Sequence, residues 1–220
     1  DIGAENRVEA EALVPVGTYV TFESDFRSLG SHRLASKSLD NRLGAYVMYA
    51  SMIRLAALPL TIGLTGISTV QEEIVPRGLS IFSPIPYAVA LVLDVDFATD
   101  IPGDTSCGSN LRLGGGVGVP LNADSSPVLL HILREVAACQ GIPLQCFPSR
   151  NFTGGTDALQ LKSGGSVAVL NLSIPLRYMH SRYEVCDVCD VLRAIDLVCA
   201  LVTHFNNCPT QNLVPWQNNF

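Results

Sequence analysis

Apolar positions along the chain follow two alternating rhythms. Runs rich in Val, Ile, Leu and Thr are separated by stretches in which apolar residues recur every three or four positions, the pattern of strands interleaved with helices in an α/β domain. The pattern predicts strands over residues 18–23, 60–69, 87–93 and 166–174. The second run ends at Gln71-Glu72-Glu73, the third at Asp94, and Pro175 stops the fourth. Asp40 is placed as the N-cap of a helix continued by Leu43, Tyr46, Val47, Ala50 and Ile53. Residues 126–140 form a second helix, stopped by Gly141. The last helix is predicted from about 184 to about 204, with Asp187, Asp190, Arg193 and Asp196 at helical intervals along it. Residues 27–37, rich in Ser, Gly and Arg, make the one shift in composition and suit a domain junction.

Composition narrows the class. With 48% hydrophobic and 15% charged residues in 220 positions, there is enough apolar material for a large buried core, which excludes intrinsic disorder. Lys and Arg total 14 against 20 Asp and Glu, and the net charge of -6 argues against a nucleic-acid or anionic-membrane surface. No apolar run approaches the ~20 residues of a membrane span. The sparse charge points instead to a surface partly covered by other subunits. Seven cysteines, an odd number, favour free thiols in a reducing, cytoplasmic compartment. Cys186 and Cys189 form a Cys-x-x-Cys pair, but no second pair or nearby His completes a zinc site, so the pair reads as structural. Residues 1–11 contain no Met and neither a basic nor an apolar leader segment, so the chain is expected to be a piece whose natural start lies upstream.

The candidate chemistry lies at predicted strand ends and helix starts: Asp40, Glu72 with Glu73, Asp94 and His180. In an α/β sheet the carboxyl ends of the strands are where sites assemble, so residues distant in sequence can converge on one cleft. Adjacent carboxylates beside a core repel each other and resist desolvation, and a divalent cation compensates them. Carboxylates with an imidazole suit zinc or a similar first-row metal. Two ions about 3.5–4 Å apart, bridged by a shared carboxylate, would hold and acidify a water, and a remaining carboxylate could take its proton. Taken singly, each residue has a plainer reading. Asp40 is a helix cap, Asp94 a turn residue at a strand end, the Glu pair solvated surface, and the His structural.

Five segments then occur in one order: Ser38-Leu-Asp40-Asn-Arg42-Leu-Gly44, Thr69-Val-Gln-Glu72-Glu73, Asp94-Val-Asp-Phe-Ala-Thr-Asp100-Ile-Pro-Gly103, Gly154-Gly-Thr-Asp157-Ala158 and Ile174-Pro-Leu-Arg177-Tyr-Met-His180-Ser181. Together they resemble peptidase family M42, the dinuclear metallo-aminopeptidases that include glutamyl aminopeptidase and the TET-type enzymes, some of them labelled endoglucanase. The resemblance implies an α/β catalytic domain of zinc-exopeptidase type, phosphorylase/hydrolase-like, with a mixed sheet flanked by helices. Asp40 corresponds to the carboxylate bridging two divalent ions, Zn or Co. Glu73 and His180 correspond to the other protein ligands of one ion, and Asp94 to the carboxylate ligand of the other. Glu72 matches the general base. Asp157 and Arg177 match positions near the substrate cleft, with no definite role.

Two departures stand out. The family follows the Glu-Glu pair with an aliphatic residue and a Gly, whereas here Ile74 is followed by Val75, Pro76, Arg77 and Gly78. The family's other His ligand lies in a His-x-Asp motif, and none of His32, His131, His180 and His204 is followed by x-Asp. Residues 1–30 resemble the tail of the family's β-rich inserted domain, which carries subunit contacts, and 31–220 the catalytic domain lacking its first segment. One ion is therefore expected to bind weakly and the second to be lost. The expected function is a cytoplasmic aminopeptidase acting on peptides, without nucleic-acid or membrane partners, as a homo-oligomer built from dimers up to a dodecamer. The competing expectations are an inactive remnant or non-catalytic oligomer subunit, and a related metal hydrolase of acylated sugars or amino acids.

Overall fold

The computed structural model describes residues 1–74, 78–79, 87–103, 110–149, 155–163 and 167–208. Val75, Pro76 and Arg77, which carry the departure after the Glu pair, lie outside the described residues, as does Gly154 of the Gly-Gly-Thr-Asp segment. The elements in chain order are α1 (Arg7–Leu13), β1 (Arg27–Leu29), β2 (Arg33–Ser36), α2 (Leu39–Leu55), β3 (Val89–Phe97), β4 (Val117–Leu121), α3 (Pro127–Gln140), β5 (Leu144–Pro148), α4 (Asp157–Ser163), β6 (Ala168–Arg177), β7 (Glu184–Asp187) and α5 (Val188–Asn207). Among the described residues the strands form one mixed sheet. β1, β2, β7 and β6 follow one another antiparallel, while β3 runs parallel to β6 from Val89↔Ala168 to Phe97↔Leu176. Beyond β6, β4 pairs parallel with β5 and meets β6 at Gly118↔Ser173.

Side-chain alternation on the two central strands sorts the helices into layers. Leu91, Leu93 and Val95 of β3 and Leu170, Leu172, Ile174 and Leu176 of β6 face a core shared with α2, α3 and α5. Val92 and Val169 face the other way, onto Ala158 and Leu161 of α4. Position 94 falls on that second face by the same alternation. Nine of the ten β6 residues are buried, as expected of a strand covered on both faces. Within it Asn171 Nδ2 donates to Thr156 Oγ1 at 3.2 Å and Asn171 N to Ser125 Oγ at 3.1 Å, while the buried Asn171 Oδ1 accepts no hydrogen bond from the described residues.

Several expected elements change. Residues 18–23 form no strand: Tyr19 is 99% exposed, and no described strand offers the segment a ladder. Residues 60–69 are also irregular, because Gly63 and Gly66 interrupt the apolar run, although Leu60 and Ile62 still pack on the core. β3 continues past Leu93, so Asp94 lies inside a strand and not at its end. β6 likewise continues through Pro175, which falls where the neighbouring strand changes from β4 to β7. The segment from Glu184 begins as strand β7, and α5 starts at Val188, with Asp187 as the N-cap accepting from Cys189 N at 2.9 Å. Asp190 is fully buried and does not join a polar stripe. It accepts from Gly114 N (2.6 Å) and Gly116 N (2.8 Å) and so fixes the turn before β4.

The helix stop at Gly141 matches the sequence pattern. α3 ends at Gly141, whose φ of 66° is the left-handed conformation glycine adopts without steric cost. Cys186 is buried and Cys189 partly so, both are free thiols, and burial pushes the Cys186 thiol up to about 11. Residues 27–37, expected as a domain junction, include the β1–β2 hairpin, which continues the sheet at its edge with Arg33–Ser36 paired along β7.

Candidate metal centre

Asp40 is not a cap. The residues before the regular part of α2 are Ser38 in the left-handed region (φ 55°), then Asp40 and Asn41 with non-helical dihedrals. Asn41 does the capping: its Oδ1 accepts from Gly44 N at 2.9 Å, and its Nδ2 donates to Leu93 O at 2.8 Å. A Cβ on Gly44 would overlap both Asn41 and Leu93 O, so the glycine permits α2 to approach β3 this closely. With capping assigned to Asn41, the Asp40 carboxylate is free to turn toward the cleft.

It faces His180. That residue sits in the turn between β6 and β7, with φ of 64°, two residues after Tyr178 at 58°. His180 Nε2 lies 3.1 Å from Asp40 Oδ2 and 3.3 Å from Glu73 Oε2. One ligand atom from each of Asp40, Glu73 and His180 lies within 4.8 Å of the other two. Phe97 supports the imidazole edge-on, with ring centroids 6.0 Å apart. His180 and Glu73 are open to solvent, whereas the Asp40 side chain is only 10% exposed.

Asp94 and Glu72 line the same cleft, of about 1170 Å³, as do Asp40, Glu73 and Asp157. Among the described residues the tight group of donor atoms contains Asp40, Glu73 and His180 but not Asp94. Asp94 accepts from Val95 N at 2.9 Å, and Asp157 Oδ2 accepts from Thr69 Oγ1 at 2.6 Å. The alternation that turns Asp94 toward α4 brings it near Asp157, the first residue of that helix.

The electrostatics of these carboxyls are those of burial first and crowding second. Burial, followed by the nearby Glu73 carboxylate, pushes the Asp40 carboxyl up to about 7 against the pull of His180. Burial likewise pushes Asp94 up to about 8, with Glu72, Asp40 and Asp157 adding to it and the Val95 amide opposing. Glu72 is raised by burial, then by Glu73 and Asp157. Several carboxyls whose charged forms are each disfavoured, around an imidazole nitrogen that can serve as a ligand, fit a divalent cation.

Arg177, matched at sequence level to the cleft, is engaged elsewhere. Its Nε and Nη2 clasp the two oxygens of Asp100 at 2.9 and 2.6 Å, tying the end of β6 to the loop after β3. Burial disfavours the Asp100 carboxylate, but the Arg177 fork outweighs it and holds that carboxyl below the usual range.

Two further residues contribute. Asn41 carries no signal of its own within the Ser38–Gly44 segment. Glu184 falls where the sequence pattern predicts the first turn of a helix, yet it is 3% exposed and its carboxylate accepts from Leu39 N (2.5 Å), Asp40 N (3.1 Å) and His180 N (3.0 Å). The available signal was a glutamate heading the short run Glu184-Val-Cys-Asp187, four positions after His180.

Comparison with known proteins finds similar aminopeptidases. The model of the family described as M42 glutamyl aminopeptidase matches residues 1–197. The lysyl aminopeptidase of Pyrococcus furiosus is 38% identical over 207 residues, covering 92% of this chain and 58% of that protein. An aminopeptidase from the archaeon Desulfurococcus kamchatkensis superposes with a TM-score of 0.80 at 29% identity, over 99% of this chain and 61% of that one. The Pyrococcus horikoshii TET1 peptidase, described as assembling into a tetrahedron or a large octahedral shell, superposes with a TM-score of 0.70 at 26% identity, over 92% and 59%. The chain thus spans less than two thirds of the length of these relatives.

Proposed function

The chain belongs to the M42 glutamyl aminopeptidase family, and on that premise we propose that its parent protein is a metal-dependent aminopeptidase that removes N-terminal residues from peptides. The observation that carries the reading is the closure of donor atoms of Asp40, Glu73 and His180 to within 4.8 Å of one another, with Asp40 and Glu73 lining one cleft. These three residues would hold one divalent ion, zinc or cobalt by donor type, and Asp40 with Asp94 would serve a second. A divalent ion there supplies Lewis acidity that acidifies a water and polarises the scissile carbonyl.

Glu72 is the general base. Its half-buried carboxyl, raised by burial and by Glu73 and Asp157, binds a proton more readily than a solvated glutamate while lying in the same cleft. It would take the proton from the attacking water and return it to the leaving amine. Asp40, held by its backbone at the start of α2, presents its carboxylate without competing for the helix amides. The apolar part of the cleft, around Met48, Met52 and Leu55, gives a peptide side chain a place to bury.

By extension from the assembling relatives, the parent protein is a cytoplasmic homo-oligomer. Residues 1–30 would be the tail of a second, β-rich unit and 31–220 the catalytic one. The exposure of Val16 (88%), Tyr19 (99%) and Val20 (80%) supports this, because such side chains call for a covering surface. The competing reading, an assembly subunit without activity, draws on Asp94 standing apart from the tight donor group. Zinc titration with hydrolysis of aminoacyl-p-nitroanilides tests both. Zinc-dependent turnover abolished by His180→Ala supports the peptidase, whereas zinc binding without turnover supports the inactive subunit.

A further inference from the structure

From the contacts of its carboxylate we infer that Glu184 is a positioning residue, clamping the two ligand-bearing turns of the proposed metal centre so that Asp40 and His180 converge before any cation arrives. This rests on the reading of Asp40, Glu73 and His180 as a cation site. Glu184 is the first residue of β7, where Ser36 of β2 is its register partner, so its backbone is fixed by the sheet. Its side chain is 3% exposed. Each carboxylate oxygen serves a different chain segment: Oε2 accepts from Leu39 N at 2.5 Å and Asp40 N at 3.1 Å, and Oε1 accepts from His180 N at 3.0 Å. Asp40 and His180 are thereby held by one rigid group, although 140 positions separate them in the chain.

Both turns need such a clamp. Ser38 and His180 sit in the left-handed region, at φ of 55° and 64°, which side chains with a Cβ seldom adopt unless surrounding contacts hold them there. Charge-assisted hydrogen bonds to a buried carboxylate are a strong restraint of that kind. The residue touches no substrate, and its oxygens are occupied by backbone amides, so its part is to orient the donors that would touch the metal.

The test compares two isosteric substitutions in the same chain. Glu184→Gln removes the charge and one acceptor from the clamp. Asp190→Asn removes the charge and one acceptor from another buried carboxylate, one that accepts from Gly114 N, Gly116 N and Arg193 Nη1 and does not line the cleft. Zinc affinity is read by competition with a chelating dye, and unfolding of the metal-free proteins by circular dichroism. The expected result is a zinc affinity about 10–100-fold lower in Glu184→Gln, the range typical of residues that orient metal ligands, and unchanged in Asp190→Asn, with both variants melting below the parent. Parental affinity in Glu184→Gln, or equal losses in both variants, would overturn the clamp. If Glu184→Gln does not fold, Glu184→Asp, which keeps the charge but withdraws it by one methylene, is read the same way, and unchanged affinity there also overturns it. A parent chain whose zinc affinity is indifferent to His180→Ala would overturn the metal centre itself, and the clamp with it.

Discussion

Asp94→Asn should make the metal-free protein more stable at neutral and alkaline pH, and less distinguishable from the parent as the pH falls. The Asp94 carboxyl is pushed from 3.8 to about 8, first by burial and then by the neighbouring Glu72, Asp40 and Asp157. Between those values the folded state holds a proton that the unfolded state has released. Stability therefore declines as pH rises through that window, by at most about 1.4 kcal/mol per unit. Over about four units the ceiling is about 5–6 kcal/mol. Asp94 keeps some contact with solvent and shares its proton linkage with Asp40, so about 2–3 kcal/mol is the expected gain on neutralising it at pH 8. Asn has the same shape and can still accept from Val95 N. The assay is urea unfolding in EDTA at intervals from pH 4 to pH 9, comparing midpoints and slopes. The gap should be near zero at pH 4, open steadily to pH 8 and then level off. A variant less stable than the parent at pH 8, or a gap independent of pH, would refute the view that Asp94 is a desolvated, crowded carboxyl awaiting a counter-charge.

Other perturbations probe separate links. In an active preparation, Glu72→Ala should retain bound zinc while lowering kcat by ~10²–10⁴-fold, the usual worth of a general base; full activity with metal retained would remove Glu72 from that role. Glu73→Gln should weaken zinc binding measured by calorimetry while leaving the fold intact, because Glu73 is exposed; unaltered affinity would exclude it as a ligand. Gly44→Ala should cost about 1–3 kcal/mol in urea unfolding and also loosen zinc binding, because the added methyl meets Asn41 and Leu93 O at the base of the Asp40 turn; a neutral effect on both would show that α2 can shift freely on β3.

Much of the architecture was legible because it rests on local periodicity. α3 appears with its Pro at the start and Gly141 at the stop, and in α2 Leu43 and Val47 are buried where helical spacing puts them, although Tyr46 and Ile53 of the same series face solvent. The misreadings have a common cause. Thr18–Tyr19–Val20 looks like a strand, but pairing is a property of two segments, and no described strand lies beside it. Asp94 and Pro175 looked like strand ends because each breaks an apolar run, yet the β3–β6 ladder runs through both positions. Glu184 looked helical because a strand of four residues is too short to show its own period.

At the site, residue type at predicted strand ends marked which carboxylates and which imidazole were candidates, and the order of the motifs that carry them supplied the resemblance that divided their roles. The tertiary structure decided the rest. It gave helix capping to Asn41 and left Asp40 free, and it turned Asp94 onto the α4 face beside Asp157. It committed Arg177 to Asp100, and it put Glu184 behind both Asp40 and His180. Those assignments depend on hydrogen bonds and charges acting over a few ångströms between segments far apart in the chain, and such distances exist only once the sheet has brought the segments together.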